Sequence, residues 1–428
     1  MAVLPLVLLA LLLQAPLIFN PGYFSHDELQ WAVRAIDAGT SPWADTHAFQ
    51  YRPLTFTVWM ALSRAFFDTP MVLHGVLVLW GTLNAVLLYL AGRGFGMSRG
   101  PAMAGTLAFI LSPYTAYTHG WLGCIADLVW LSGALCLVVL VQRARTMELA
   151  AIIAGICTLL ALLGKEAAFA IPPLLALAWW FDGRKRVWLA ALLAATAVAA
   201  VYLGLRMDAL LHAPREGMQY SLSLRHVPQR WLEYQLFPMV PGRLETFTLP
   251  HHGKQCLLAG VLWLALLMAL WQASKRLLPV FLLGGIAALL PVLPLGSSWN
   301  HYAYGFAALT TMTVAAAWPT ATRAGRFTIA VVALLSALHA GVVMWQIQRV
   351  GRIQAVFSPA LAQVLRTHPH ASVTLQPATD VKPWVFQRLT HDIPGYAGVT
   401  IGNRVRLVAA DQPADYRITA DGQLQPLR

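Results

Sequence analysis

The chain reads as a succession of long apolar runs separated by short polar turns. The first run, residues 2–19, lacks a basic leader and a small-x-small cleavage pattern, which argues for a retained helix and against a removable signal. Further runs follow at 71–91, 101–117, 122–141, 149–163, 167–181, 187–205, 257–271, 277–295, 302–318 and 327–345. Because a helix needs roughly 20 apolar residues to cross the hydrocarbon core, this pattern predicts an all-α polytopic membrane protein of about eleven transmembrane helices. The piece at 53–67 is apolar but short, and Arg64 interrupts it, so it predicts an interfacial or re-entrant helix within an outer loop, 21–69. After the transmembrane domain, 1–346, the apolar runs stop. Residues 347–428 show short alternating stretches at 372–376 and 416–420, which predict a small α/β extramembrane domain. No period typical of repeat arrays is present.

Composition agrees with the pattern. Hydrophobic residues make up 58% of the 428 positions and charged residues only 11%, against about 25% charged in a soluble domain, which excludes a soluble protein. The net charge of +12 is scattered in small clusters between apolar runs and lines no single face, so no nucleic-acid partner is expected. The clusters serve better as topology signals. If 53–67 does not cross, then Arg93 and Arg99, Arg143 and Arg145, Arg184 to Arg186, Lys275 and Arg276, and Arg323 and Arg326 all fall on one side. That side should be the cytoplasm. The alternate loops hold Asp27, Glu28, Asp37, Asp45, Asp127 and Glu166. The long outer loop, 207–255, runs against this rule with Arg215, Arg225, Arg230, Arg243 and Lys254. Either it escapes the rule or its cations bind an anion. Cys124, Cys136, Cys157 and Cys256 show neither metal-type spacing nor a disulfide framework.

Ionisable groups near a bilayer cost a few kcal/mol each on insertion scales, so those that interrupt the apolar pattern are candidates for a site. Asp27 and Glu28 follow the first helix directly. A carboxylate there could take a proton from an acceptor hydroxyl or help hold a divalent cation. Alternatively, Ser25 caps the next helix and the two acids complement its dipole. Arg52 could bind an anion or snorkel from the interfacial helix. His119, Trp121 and Asp127 cluster at one outer turn, where Trp121 suits an interfacial anchor and Asp127 sits about a turn inside an apolar helix. Lys165 and Glu166 occupy another tight turn; the lysine could bind a lipid-linked phosphate or pair with Glu166 or Asp127. Asn300, His301 and Tyr302 close a fourth, with donors for hydroxyl or phosphate and a ring for stacking.

Taken in order, YRPLTF at 51–56, P-x(5)-H-x-W-x-G-x(3)-DL at 113–128 and GKEAAFAIPPLL at 164–175 give the first half of the chain a family likeness. It resembles the membrane part of the GT-C glycosyltransferases, in particular the O-mannosyltransferases that carry tetratricopeptide repeats and their bacterial relatives. Gly164 stands where the family's third motif begins with Ser, and no such repeats follow the membrane part. The resemblance implies a GT-C-type fold and an enzyme that moves a sugar, with inversion, from a polyprenyl-phosphate carrier to a lipid-, glycan- or protein-linked hydroxyl. The reaction would take place on the periplasmic face of a bacterial inner membrane. It carries the catalytic acid over to Asp27, with Glu28 beside it, and the other motif positions to Arg52, Asp127, Lys165 and Glu166. His119, Asn300 and His301 are further candidates for binding substrate or carrier phosphate.

The long loop, with Trp231, Tyr234 and Phe237 among Arg225, His226 and Arg230, could lie on the membrane and close over the carrier. A polymerase or ligase of lipid-linked polysaccharide would need the same groups. A transporter of lipid-linked saccharides would place its charges nearer the midplane of broken helices, often in paired repeats, and no such symmetry is present. A purely structural scaffold leaves the outer carboxylates unexplained.

Overall fold

A computed structural model describes residues 3–36, 41–44, 46, 48–183, 185–212, 221–368, 371–378, 382–409 and 411–427. The loop charges Asp37, Asp45, Arg184 and Arg215 lie outside the described residues.

Helices dominate. They are α1 (Val3–Leu13), α2 (Ala15–Ile18), α3 (His26–Ile36), α4 (Pro53–Phe66), α5 (Pro70–Gly94), α6 (Arg99–Ile110), α7 (Pro113–Gly120), α8 (Ile125–Val141) and α9 (Met147–Gly164). Then come α10 (Ile171–Phe181), α11 (Arg186–Leu211), α12 (Val227–Leu236), α13 (Gly253–Ala273), α14 (Leu277–Leu289), α15 (Tyr304–Ala317), α16 (Arg323–Thr367) and α17 (Pro383–Thr390). Among the described residues, six helices are long and apolar enough to cross a membrane: α5, α8 with its preceding turn from Leu122, α9, α11, α13 and α16. Val3–Leu13, Glu166–Phe181 and Leu277–Leu289 are shorter apolar helices. Such a set of helices is the architecture of a membrane protein.

Several apolar runs are broken where the chain carries proline or a buried polar group. Residues 101–117 divide into α6 and α7 at Ser112-Pro113, where the Ser112 hydroxyl accepts from the Tyr114 N–H and caps the second helix. The first run divides at Gln14, whose buried side chain donates to Ile110 O (3.2 Å). In contrast, α16 does not stop where its apolar run ends at Trp345; it continues to Thr367 and carries the chain into the C-terminal region.

That region holds a four-stranded sheet in the order β4-β1-β5-β6, formed by β1 (Val373–Pro377), β4 (Val405–Leu407), β5 (Tyr416–Ile418) and β6 (Leu424–Pro426). Strand β1 runs parallel to both neighbours, with Val373 opposite Val405 and Leu375 opposite Tyr416, while β6 returns antiparallel to β5. A separate hairpin joins β2 (Gly395–Tyr396) to β3 (Val399–Thr400). Leu375, Phe386, Leu389, Ile393 and Ile418 pack with Phe357 and Leu361 of α16 in the main hydrophobic core.

The basic loops share one end of the bundle. Phe95 stacks on Trp188 at 5.6 Å and meets Phe181 edge-on at 6.2 Å, and Gln142 Nε2 donates to Ala91 O. Phe181 also packs against the cluster that contains Leu270, Leu277 and Ala321. Asp127 lies near the opposite end of α8 from Val141, about 21 Å away at ~1.5 Å per residue.

Candidate functional site

The first loop, 21–69, is held from beneath. Ser25 occupies the N-cap position of α3, and the Glu28 carboxylate reaches back to the N–H groups of Ser25 (2.6 Å) and Phe24 (2.9 Å), the reciprocal half of a capping box. Its other oxygen accepts from the Leu122 N–H at 3.1 Å, which ties α3 to the turn before α8. Glu28 is fully buried, and that burial pushes its carboxyl up to about 8 against the three N–H donors that favour the charged form. The Ser25 hydroxyl lies 3.2 Å from His26 Nδ1. On the other face of the same helix, Asp27, Gln30, Trp31 and Arg34 follow at helical spacing and turn toward open space.

That space is a cavity of about 590 Å³. Beyond the α3 face, it is lined by Gln50, Tyr51 and Arg52 and by Thr55, Phe56 and Trp59 of α4. Trp121, Gly123 and Ala126 supply a third wall, and Trp299, His301 and Tyr302 a fourth. Trp31 stacks on Phe56 (4.3 Å) and on Trp59 (5.3 Å), while the Arg34 guanidinium lies 4.9 Å from the Trp31 ring. The segment leading to Arg52 is anchored by Arg206 of α11, which donates to the carbonyls of Thr46 and Ala48 and lies 5.1 Å from the Tyr51 ring. Asp27 is the only carboxylate among the described lining residues; it stands 3.3 Å from His26 Nε2 with about a third of its side chain exposed (32%).

Four ring nitrogens of lining residues have no hydrogen-bond partner among the described residues: the indole N–H groups of Trp59, Trp121 and Trp299, and His301 Nδ1. Burial, with help from the positive charges of Lys165 and Arg52, pushes the His301 pKa well below its ordinary value. The ring is therefore neutral and can accept as well as donate. Burial also lowers the pKa of His26, with Asp27 pulling the other way.

Beneath the cavity, ionisable residues from separate parts of the chain meet in two ion pairs. Arg52 grips Glu166 Oε2 through Nε and a terminal nitrogen, both at 2.8 Å. Lys165 Nζ sits 2.6 Å from Asp127 Oδ2, with both side chains almost wholly buried, and lies 5.1 Å from the Tyr302 ring. The Trp130 indole donates to the other Asp127 oxygen at 3.3 Å.

Of the residues singled out from sequence, Asp27, Arg52, Trp121, His301 and Tyr302 line the cavity; Glu166, Lys165 and Asp127 are joined to its wall from behind. Three do not reach it. Glu28 is spent on backbone N–H groups, as above. His119 is fully buried between Gln14 Oε1 (2.8 Å) and the Tyr304 hydroxyl (2.7 Å), an internal hub joining the breaks in two apolar runs to α15. Asn300 accepts from the Thr246 N–H and hydroxyl and donates to Leu244 O, which fixes the long loop to the bundle.

The long loop, 207–255, is fixed to the bundle along much of its described part. Its described part packs as α12, with Tyr234 and Phe237 fully buried, Tyr114 donating to Tyr234 O at 2.6 Å, and Trp231 against Trp263. Its arginine Arg230 pairs with Glu233 at 2.6 Å. The 3₁₀ turn Phe237–Met239 sets Phe237 between Tyr114 and His339.

Sequence reading missed Trp31 and Arg34, although their spacing from Asp27 on an amphipathic helix carried the signal. It also missed Arg388, for which no local signal exists. This residue of α17 reaches Glu245 (2.5 Å) and lies 4.5 Å from the Phe24 ring, docking the C-terminal region on the first loop. Among the described residues, no group of three or more His, Cys, Asp or Glu is arranged to hold a metal ion.

No protein-family model matches the chain, and no curated protein does. Among solved structures, it is similar to the oligosaccharyltransferase of Archaeoglobus fulgidus. The apo form of that enzyme matches with 16% identity and a TM-score of 0.47, over 97% of this chain and 65% of the other. The form tethered through a disulfide bond to an acceptor peptide containing the NVT sequon matches with 14% identity and a TM-score of 0.44, over 90% and 63%. The chain thus spans less than two thirds of that enzyme's length. At this level of identity and superposition the likeness carries no functional argument.

Proposed function

We propose that the chain is a membrane glycosyltransferase of GT-C type that moves a sugar from a polyprenyl-phosphate carrier to a hydroxyl acceptor, with inversion, at the outer face of a bacterial inner membrane. The observation that carries this reading is the cavity itself. One carboxylate, Asp27, faces into it together with Arg34, Arg52 and a lining rich in tryptophan and tyrosine, at the end of the bundle away from the basic loops. Aromatic faces suit the apolar side of a sugar ring, and guanidinium groups suit a phosphate.

In this reading Asp27 takes the proton of the acceptor hydroxyl as its oxygen forms a bond to the anomeric carbon. The bond from that carbon to the carrier's phosphate oxygen breaks, and the electron pair leaves with the phosphate. Arg52 and Arg34 stabilise the charge that develops there. Glu166 orients Arg52, and the Lys165–Asp127 pair supports Tyr302 from below. Attack from the side opposite the leaving group inverts the centre. The transmembrane domain 1–346, with about eleven crossings in which the shorter helices take part, and the extramembrane domain 347–428 belong to the same proposal.

The test is to purify the full chain, supply radiolabelled polyprenyl-phosphate hexoses and pentoses with simple alkyl glycosides, and determine the anomeric configuration of any product by NMR. Transfer with inversion supports the reading. Transfer with retention overturns the mechanism, and movement of intact carrier across proteoliposomes without bond cleavage would favour a transporter.

A further inference from the structure

Beside the main cavity lies a second chamber of about 220 Å³. His26, Trp121 and Trp299 line both. Ser25 adds to that side, and the facing wall comes from the C-terminal region: Gln387 and Arg388 on α17, and His391 just after it. Three contacts hold this wall in place. Arg388 pairs with Glu245, Gln30 Nε2 donates to Asp392 O at 2.8 Å, and Phe386 packs on Phe357 at 5.1 Å. The chamber is therefore formed by the docking of one region of the chain on the other.

The chemistry of its wall is specific. The His26 and His391 rings meet edge-on at 5.4 Å, and His391 Nε2 lies 3.1 Å from Asp392. The charge of Arg388 is matched by Glu245, while its Nη1 keeps a buried donor without a partner among the described residues. The chamber also offers the exposed Gln387 amide, two imidazoles and the faces of two tryptophans. The Trp121 indole N–H is without a partner although the residue is only 8% exposed. Amide and imidazole groups that donate and accept, set beside flat aromatic faces, match a ring that bears several hydroxyls.

Position decides which ring. The chamber opens onto His26, the neighbour of Asp27, whereas Arg34 and Arg52 line only the main cavity. We propose that this chamber is the acceptor subsite, where Gln387 and His391 of the C-terminal region select the saccharide ring whose hydroxyl is presented to Asp27. This rests on the glycosyl-transfer reading, with the carrier phosphate at Arg34 and Arg52 and the acceptor entering from the α17 side.

The test uses the full chain and the variants Gln387→Ala, His391→Ala and the double substitution, with hexyl glycosides as acceptor probes. The double variant should raise the acceptor KM about tenfold or more, the loss of two modest hydrogen-bonding groups, and leave the donor KM unchanged. His391→Gln, which keeps a donor and an acceptor, should recover part of the loss. An unchanged acceptor KM, or a rise in donor KM instead, overturns the proposal. A second arm measures binding of the same glycosides without donor by titration calorimetry. Binding by the wild type that the double variant loses, without transfer by either, keeps the saccharide subsite and removes the transfer reading. Asp27-dependent transfer that is indifferent to both substitutions keeps the transfer reading and removes the subsite. A wild type that binds no glycoside also overturns the subsite.

Discussion

At the scale of single residues, adjacent carboxylates have opposite fates because successive helical positions point about 100° apart. Asp27 faces the cavity, while Glu28 turns inward to the N–H groups of Phe24, Ser25 and Leu122. Replacing Glu28 with Ala strands three donors and should cost on the order of 3 kcal/mol. Glu28→Gln keeps one accepting oxygen but turns its amide NH2 on a backbone N–H that the other oxygen served, so it should recover only part of that loss; thermal melts of the two purified variants give the comparison. The buried Lys165–Asp127 pair predicts a different pattern. Lys165→Ala or Asp127→Ala leaves a buried charge alone and should cost about 3–5 kcal/mol, with the double variant losing less than the sum. A double-mutant cycle on thermal stability measures this directly. Lysine and aspartate in apolar surroundings were visible in the sequence as costly, and their pairing stood as one option. The burial of His119 and Asn300 was not visible, because their partners Gln14, Tyr304 and Thr246 lie 54 to 185 positions away.

At the scale of elements, the long helix α16 does more than end the bundle. Tyr23 N–H donates to Gln354 Oε1 at 2.8 Å, and Gly351 lies so close to the first loop that an added Cβ would stand 1.9 Å from Asn20 Oδ1. Gly22 meets the same backbone from the other side, with its own added Cβ 2.2 Å from Gly351 O. Gly22→Ala, whose Cβ would meet the Gly351 backbone and not only a side chain that can turn, should therefore displace the loop that carries Asp27 while the helix stays intact. We expect transfer to fall by on the order of a hundredfold, the effect of misplacing a reacting group by about 1 Å, with unchanged helical circular dichroism. Periodicity found the apolar parts of α5, α8, α9, α11 and α13 because membrane helices announce themselves by length and composition. It did not find the continuation of α16 to Thr367, whose later turns are polar on one side and are held by contacts with the sheet and α17 that no local pattern encodes.

At the scale of the whole molecule, the short basic loops share one end: they meet around Phe95, Phe181 and Trp188, and the cavity lies beyond the far end of α8. If the positive loops face the cytoplasm, a single cysteine at Lys382 in a cysteine-free background should react with an impermeant maleimide on intact cells, and one at Lys275 should not. The reverse labelling would put the cavity inside. That the short basic loops share one end was legible from sequence, as were the three motifs whose residues meet in the two ion pairs. The aromatic floor and the α17 wall were not, since both arise from docking between distant segments. The central claim is that Asp27 is the base of a glycosyl-transfer site. Its most direct test compares wild type and Asp27→Asn for transfer from the polyprenyl-phosphate sugar that the wild type uses, with donor binding measured in parallel. The account predicts a fall in turnover of roughly 10²- to 10⁴-fold with donor binding kept; undiminished turnover in Asp27→Asn would contradict it.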